Sequence, residues 1–526
     1  MDDLSIKKLA LNSETGGGTK YYYLDVLIND NNEMPFVAED YVLRMVIATQ
    51  LDIMAAIIDL GDKELIKKRA KMENQALAAS DELTLRQMIS SSWSGLLMTL
   101  CLLFESAPDE STVNSVLDTI IALTAVAGGL NMDGPREALV GSLCRFALPP
   151  NYNSGSNSPT EVEQPTQGQV LVMGQPLSPT SSSGSAGFVL LTTRNIQVLR
   201  ALLQVALDYG PLLGQAWSSL LNALQHLSWI LGFKPNMLTG EMSNSSTESN
   251  SSTVLTTAIT AEVPKLSQQL GLVFDQSVKL DEVALHHLIN ALCEQSAETM
   301  DLAYGSSSRE PSLFAVAKLI HVAKVNLTRL EILWKPVTGH LLEVCQHTNC
   351  HFRRWGAHGL SQLIVSAMES STDKRRLDMV LATFKAISSI PRIDVRTHQM
   401  KTVLEVLETR GDELNSAWPI LLDILQTSCD ALKDQAEAES ARLTDSFLDK
   451  QIIEQQKDQK TENLEREVLV KSGFKAIQLV VQDFLGAIPP SYLEHMIQST
   501  MRFGSQLGCS FVQNSIEKSI IDFYRA

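Results

Sequence analysis

Aromatic side chains make up only 6% of the 526 residues, while hydrophobic residues reach 44%. The apolar content is therefore carried mainly by Leu, Ile, Val and Ala, a balance that favours helices packed through aliphatic ridges over strand-rich folds. Basic charge is also in short supply: 43 Lys and Arg stand against 60 Asp and Glu, for a formal net charge of −17. Neutralising a phosphate backbone takes a basic stripe, and its absence excludes general nucleic-acid binding. Long apolar runs are missing too. The longest, such as Gly95 to Phe104 (GLLMTLCLLF), fall well short of the roughly 20 residues that cross a bilayer, and they read as buried core helices. The opening MDDLSIKKLALNSETGGGTK has no apolar segment followed by a small-residue cleavage site, so the expected compartment is the cytosol. Seven cysteines form no framework; Cys101, Cys144, Cys293, Cys345 and Cys429 fall in helix-like contexts, where reduced thiols pack as small hydrophobes. The Asn-x-Ser/Thr triplets at Asn244, Asn250 and Asn326 are then incidental.

Catalytic signatures are absent as well. There is no G-x-S-x-G elbow, no H-E-x-x-H and no dinucleotide fingerprint. Gly16-Gly17-Gly18-Thr19-Lys20 lacks the full phosphate-loop spacing and a preceding strand, so it reads as a loop. The cluster Cys345, His347, Cys350 and His351 brings two thiols and two imidazoles together. All four lie at one helix-to-loop junction with no second ligand pair elsewhere, which favours a structural role over zinc. His286 and His287 sit about 100 degrees apart around a helix axis and cannot share a metal. The expectation is no catalytic residues, no cofactor and no metal, and hence an interaction role.

A chain of this length is too long for one compact core, which leaves several domains or an array of repeats. Polar stretches divide it. Residues 151–189 are dense in Ser, Pro, Gly, Asn and Gln; 236–253 include EMSNSSTESNSS; 433–463 are rich in Asp, Glu, Lys and Gln and open to partial helix because their charges alternate. The first two read as disordered and the third as a charged linker. Ser158-Pro159 and Ser178-Pro179 stand in the first, within reach of a proline-directed kinase, though the simpler reading leaves them unmodified. The helical blocks are then 1–150, 190–432 and 464–526.

Within the blocks the pattern is helix, breaker, helix. Ile196, Leu199, Leu202, Leu203 and Ala206 recur at helical spacing after a cap at Thr192 or Thr193 and stop at Gly210-Pro211. A second helix carries Trp217, Leu220, Leu221, Leu224, Leu227, Ile230 and Leu231 and ends at Gly232, with Pro235 beyond. Leu360, Leu363 and Ile364 follow Arg353 as Val403, Val406 and Leu407 follow Arg396, an offset of 43 residues, and the triplet returns at Ile477, Val480 and Val481. A period of roughly 40–47 residues for a helix pair is the HEAT or armadillo signature. Each pair has apolar residues that only a stacked neighbour covers. The predicted fold is all-α, a HEAT/armadillo-type helical-repeat solenoid interrupted by linkers.

Glu310 to Gln346 (EPSLFAVAKLIHVAKVNLTRLEILWKPVTGHLLEVCQ) resembles the Mon-two family, large Golgi and endosome scaffolds related to the big Arf guanine-nucleotide exchange factors. Arg353 to Ala357 (RRWGA) is similar to the family's R-E-W-G-A element, with Arg354 at the acidic position. Gln225 to Pro235, Leu285 to Cys293, Met300 to Gly305 and Ala476 to Leu485 agree in the same order. The resemblance is strongest from about Leu190 to Gly504 and weaker from Ser92 to Tyr152, and Asn514 to Ala526 strays from it. Family members are several times longer, so the chain is expected to be a central region or a short isoform.

The resemblance implies a non-catalytic scaffold, peripheral on the trans-Golgi network and early endosomes, acting in endosome-to-Golgi transport. Dopey-family proteins, a phospholipid flippase and Arf-like GTPases are the implied partners. The polar segment after Asn151 is too short to be the catalytic domain of the exchange factors, so no exchange activity is expected. The alternative is a regulator of Arf-family nucleotide exchange. A third reading, a HEAT-type nuclear-transport receptor, fits the fold but not the family.

Overall fold

The computed structural model describes residues 21–23, 36–70, 75–149, 171–172, 189–235, 242–244, 253–254, 257–305, 309–310, 312–370, 373–411, 414, 417–428 and 452–504. They build an all-α helical-repeat fold, and strands among them run to three residues at most. The chain divides into two compact units.

The first unit takes in Met1–Gln167, Gly174–Lys234 and Met242–Gln295. Its helices are α1 (Glu39–Ala70), α2 (Gln75–Ser106), α3 (Glu110–Gly129), α4 (Asp133–Ala147), α5 (Thr193–Tyr209), α6 (Ala216–Ile230), α7 (Thr257–Asp275) and the part of α8 (Glu282–Gly305) up to Gln295. From α1 to α7 each helix packs on the next but one, the arrangement of stacked helical pairs. The ends are set by local chemistry. Asp109 caps α3 by accepting from the Thr112 amide at 3.0 Å. Thr192 and Asn195 form a reciprocal capping box at the start of α5.

The Gly210-Pro211 corner is a short 3-10 turn, Gly210–Leu212, and the buried Trp217 donates its indole N–H back to the Gly210 carbonyl at 3.2 Å. Gly214 follows at φ +50, and a Cβ there would lie 2.6 Å from Nη2 of Arg136, whose Nη1 donates to the Leu212 carbonyl at 3.2 Å. A glycine is required on both counts. Gly232, at φ +73, ends α6 as expected.

The second unit takes in Gly168–Met173, Pro235–Glu241 and Ser296–Ala526. After the remainder of α8 come α9 (Phe314–Val325), α10 (Leu330–Gln346), α11 (Cys350–Ser370), α12 (Lys374–Ile387), α13 (Ile393–Arg410), α14 (418–428), α15 (Ile452–Asp483) and α16 (Leu493–Gly504). Helices α9 and α11, α10 and α12, α11 and α13, and α13 and α15 pack together. The six residues of the 43-residue register, Leu360, Leu363 and Ile364 on α11 and Val403, Val406 and Leu407 on α13, are buried, as is the later triplet Ile477, Val480 and Val481 on α15, delayed by the charged insert. Burial of each aliphatic side chain contributes about 1.5–3 kcal/mol. The indole of Trp334 on α10, 1% exposed, donates to the Thr383 hydroxyl on α12 at 2.9 Å. This bond joins consecutive pairs.

The apolar run Gly95 to Phe104 departs from the expected buried helix. Leu96, Leu100, Leu103 and Phe104 are buried, but Met98 is 64% and Leu102 52% exposed. Two stretches, Glu82–Ser106 and Glu110–Gly129, are long and apolar enough to cross a membrane by length and composition. The unbroken apolar run is only part of the first stretch, because serines and threonines extend it as a weakly polar segment. Several turn their hydroxyls onto their own helix: Ser92 donates to the Met88 carbonyl, Thr99 to Gly95 and Ser106 to Leu102, at 2.6, 2.9 and 2.7 Å.

Residues 452–463 of the charged stretch are the opening turns of α15. Asn326 is fully buried and donates to the Val322 carbonyl at 2.8 Å, a structural role. Gly16 to Lys20, Ser158, Ser178, Asn250 and Cys429 lie outside the described residues.

Candidate interaction surfaces

The Cys345–His351 segment is the corner between α10 and α11. Cys345 is fully buried, and burial pushes its thiol up to about 12. His347 is 1% exposed: its Nδ1 accepts from the Asn349 amide at 3.0 Å, its Nε2 faces the Met300 carbonyl at 3.2 Å, and its ring meets Phe352 edge-on. Both nitrogens are committed, and desolvation lowers its basicity below the usual histidine value. Cys350 and His351 are exposed. Among the described residues no group of three His, Cys, Asp or Glu is placed to hold a metal.

The RRWGA element explains itself at this corner. Gly356 lies where α11 crosses α10, and a Cβ there would come within 2.9 Å of Cys345 Sγ and 3.2 Å of its amide nitrogen. Arg353 donates from Nη1 to the carbonyls of His347 and Thr348 at 3.1 and 2.6 Å, and from Nε to Asp394 on α13 at 2.8 Å. Its register mate Arg396 donates to the Thr427 carbonyl at the end of α14. Arg354 is exposed. His286 is exposed and faces the Glu282 carbonyl one turn back at 2.8 Å, while His287 is half-buried.

Sequence reasoning missed two features. His358 on α11 and His398 on α13 meet edge to face with ring centroids 5.7 Å apart, and burial together with His358 and Lys401 pushes His398 down to about 4. In the first unit a cavity of about 990 Å³ opens where the C-terminal parts of α2 and α4 meet α5 and α6. Its volume is at the upper end of the range for ligand pockets, about 300–1,000 Å³.

That cavity is organised by two Phe–Arg pairs. Phe104 and Phe146 stack with centroids 4.3 Å apart; the Arg194 guanidinium lies over Phe104 at 5.6 Å and that of Arg145 over Phe146 at 5.0 Å. Arg194 also donates to the carbonyls of Phe104 and Ala107, at 3.3 and 2.9 Å, closing the end of α2. Asn195 donates to the carbonyls of Phe146 and Leu148, at 3.0 and 3.1 Å, closing α4. Ser219 and Asn222 are exposed on α6, and Glu105 completes the charged lining. Cys144 is buried against the wall, its thiol directed at the Ser219 carbonyl at 3.4 Å, and desolvation raises it to about 12. The cavity thus combines an apolar floor, two guanidinium groups, the Glu105 carboxylate and the buried His226 imidazole, with the Cys144 thiol kept protonated by burial.

No family model matches the chain. Its curated relatives are informative. Protein MON2 homolog from Xenopus laevis is 33% identical over 557 aligned positions, covering 97% of this chain, and Protein MON2 homolog from Homo sapiens is 33% identical over 560, again 97%. The chain belongs to the MON2 family. It spans about 30% of the length of those two relatives. A more distant likeness, 20% identity over 70% of this chain and 21% of the relative, joins it to Brefeldin A-inhibited guanine nucleotide-exchange protein 2 from Arabidopsis thaliana. Among solved structures importin beta matches at TM-score 0.21 and 11% identity, over 84% of this chain and 54% of that one, a score that carries no argument.

Proposed function

We propose that the chain is a non-catalytic scaffold segment in transport between endosomes and the trans-Golgi network, docking proteins on its helical faces. The observation that carries this reading is the 33% identity with MON2 homologs along 97% of the chain. The chemistry of the surfaces is compatible with it: among the described residues the cysteine–histidine cluster from Cys345 to His351 is a folded corner, and the cavity offers apolar and guanidinium contacts. The proposed partners are Dopey-family proteins, a phospholipid flippase and Arf-like GTPases, and the proposed location is the cytoplasmic surface of trans-Golgi and early endosomal membranes. Affinity purification of the tagged chain from cells, read by mass spectrometry, tests this. Recovery of a Dopey-family protein supports the scaffold; a set of bound proteins free of trafficking components counts against it.

The second reading, regulation of Arf-family nucleotide exchange, is favoured by the likeness to the brefeldin A-inhibited exchange protein. Nucleotide release from an Arf protein, measured with and without the chain, separates the two. The scaffold reading requires equal rates, and acceleration by the chain alone overturns it.

A further inference from the structure

We infer that the cavity between α2, α4, α5 and α6 is a docking groove for an extended acidic–apolar segment of a partner protein. Three observations carry this. The first is charge. Arg145 is exposed and lies over Phe146 instead of against a carboxylate, while Arg194 donates to the backbone carbonyls at the end of α2, whose partial charge offsets only part of its own. Two cationic groups held in place by aromatic rings in a chain of net charge −17 form a local site for carboxylates.

The second is shape and floor. The half-buried Phe146 and Leu148 supply the apolar contact for an occupant's side chain, and the buried Phe104 and Pro149 behind them hold that floor rigid. The third is the polar wall. Ser219 and Asn222 stand exposed on one face of α6, and an amide side chain offers the donor and acceptor that an extended backbone needs when it has no ladder partner.

The same lining selects against a polyphosphate or a phosphoinositide headgroup. Glu105 shares the cavity, and a carboxylate beside two guanidinium groups suits spaced single charges better than concentrated phosphate charge. The occupant is therefore a peptide in which Asp or Glu alternates with Phe or Leu. This rests on the scaffold reading only in taking the occupant to be a protein; the trafficking route is independent of it.

The test uses the full purified chain and a fluorescein-labelled eight-residue peptide alternating glutamate with phenylalanine and leucine, read by fluorescence anisotropy. Saturable binding is expected, weakened about tenfold by Arg145→Glu and about as much by Asn222→Asp, with Arg145→Lys within about threefold of the parent. Both positions are at the surface, so the fold is retained, and circular dichroism verifies it. A peptide with lysine in place of glutamate is expected not to bind. Equal binding of the lysine peptide, indifference to Arg145→Glu, or no binding of the acidic peptide at millimolar concentration overturns the inference. So does Arg145-dependent binding to phosphoinositide vesicles in place of the peptide. None of these results bears on whether Dopey-family proteins co-purify with the chain, so the two readings fail separately.

Discussion

Replacing Arg353 with alanine removes the tie between the α10–α11 corner and the helix pair that follows. The guanidinium makes three bonds at once, to Asp394 at 2.8 Å and to the carbonyls of His347 and Thr348 at 3.1 and 2.6 Å. Its side chain is 14% exposed and that of Asp394 33%. The pair therefore falls between an exposed one worth under about 1 kcal/mol and a dry one whose disruption costs about 3–5 kcal/mol. Hydrogen bonds to charged groups contribute about 1.5–3 kcal/mol, and three bonds to a single cation do not add. A loss of about 2 kcal/mol follows, with Arg353→Lys losing more than half as much because an ammonium cannot reproduce the fork. The chain has two units, so a single global unfolding curve is the wrong measurement. Native-state hydrogen exchange reads the effect locally, and about 2 kcal/mol corresponds to roughly 30-fold faster exchange in α10, α11 and α13. Acceleration of less than about threefold, or acceleration spread evenly over both units, refutes the reasoning.

Burial lowers the basicity of His340, His347 and His398, the last to about 4. In each case the unfolded chain binds more protons, so stability is fully present above about pH 6.5 and is lost as pH falls towards 4; native-state hydrogen-exchange protection of α10, α11 and α13, after allowance for the intrinsic pH dependence of exchange, should fall from neutral pH down to about 5, less steeply in His398→Gln. A flat profile counts against these burials. Exposed Cys350 should react with a maleimide well before Cys144 and Cys345, whose thiols burial holds near 12, as peptide mapping after brief labelling will show; comparable rates would contradict the corner's packing. A Cβ at Gly359 would meet Ile320 Cδ1 at 2.3 Å. Overpacking costs about 1–3 kcal/mol against a helix-propensity gain of up to about 1, so Gly359→Ala should destabilise by about 1 kcal/mol, and Ile320→Val should relieve only part of it because Cγ1 remains 2.7 Å from the added Cβ. Stabilisation by Gly359→Ala alone would show that Ile320 is free to move aside.

Elements whose signals lie close together along the chain were legible. The Thr192 cap, the Gly210-Pro211 corner and the Gly232 ending each depend on a few adjacent residues, and all appear where spacing places them. The register from Arg353 to Arg396 was visible because helical periodicity repeats the same triplet, and those triplets are buried. The cavity was not legible. Its walls come from Phe104, Arg145, Arg194 and Asn222, residues on four helices that no local motif connects. Its one faint trace was the pairing of an arginine with a phenylalanine at positions 145 and 146, too common a dipeptide to mark a site. The exposed side of α2 was also hidden, because counting apolar residues gives amount without direction.

Ser92, Thr99 and Ser106 on α2 have already given their protons to carbonyls one turn behind them, so beside the exposed Met98 and Leu102 these three hydroxyls present lone pairs rather than donors. Water wets such a surface less readily than a hydroxyl tally suggests. A group that hydrogen-bonds to these oxygens must bring its own N–H or O–H, while Met98 and Leu102 beside them offer only apolar contact.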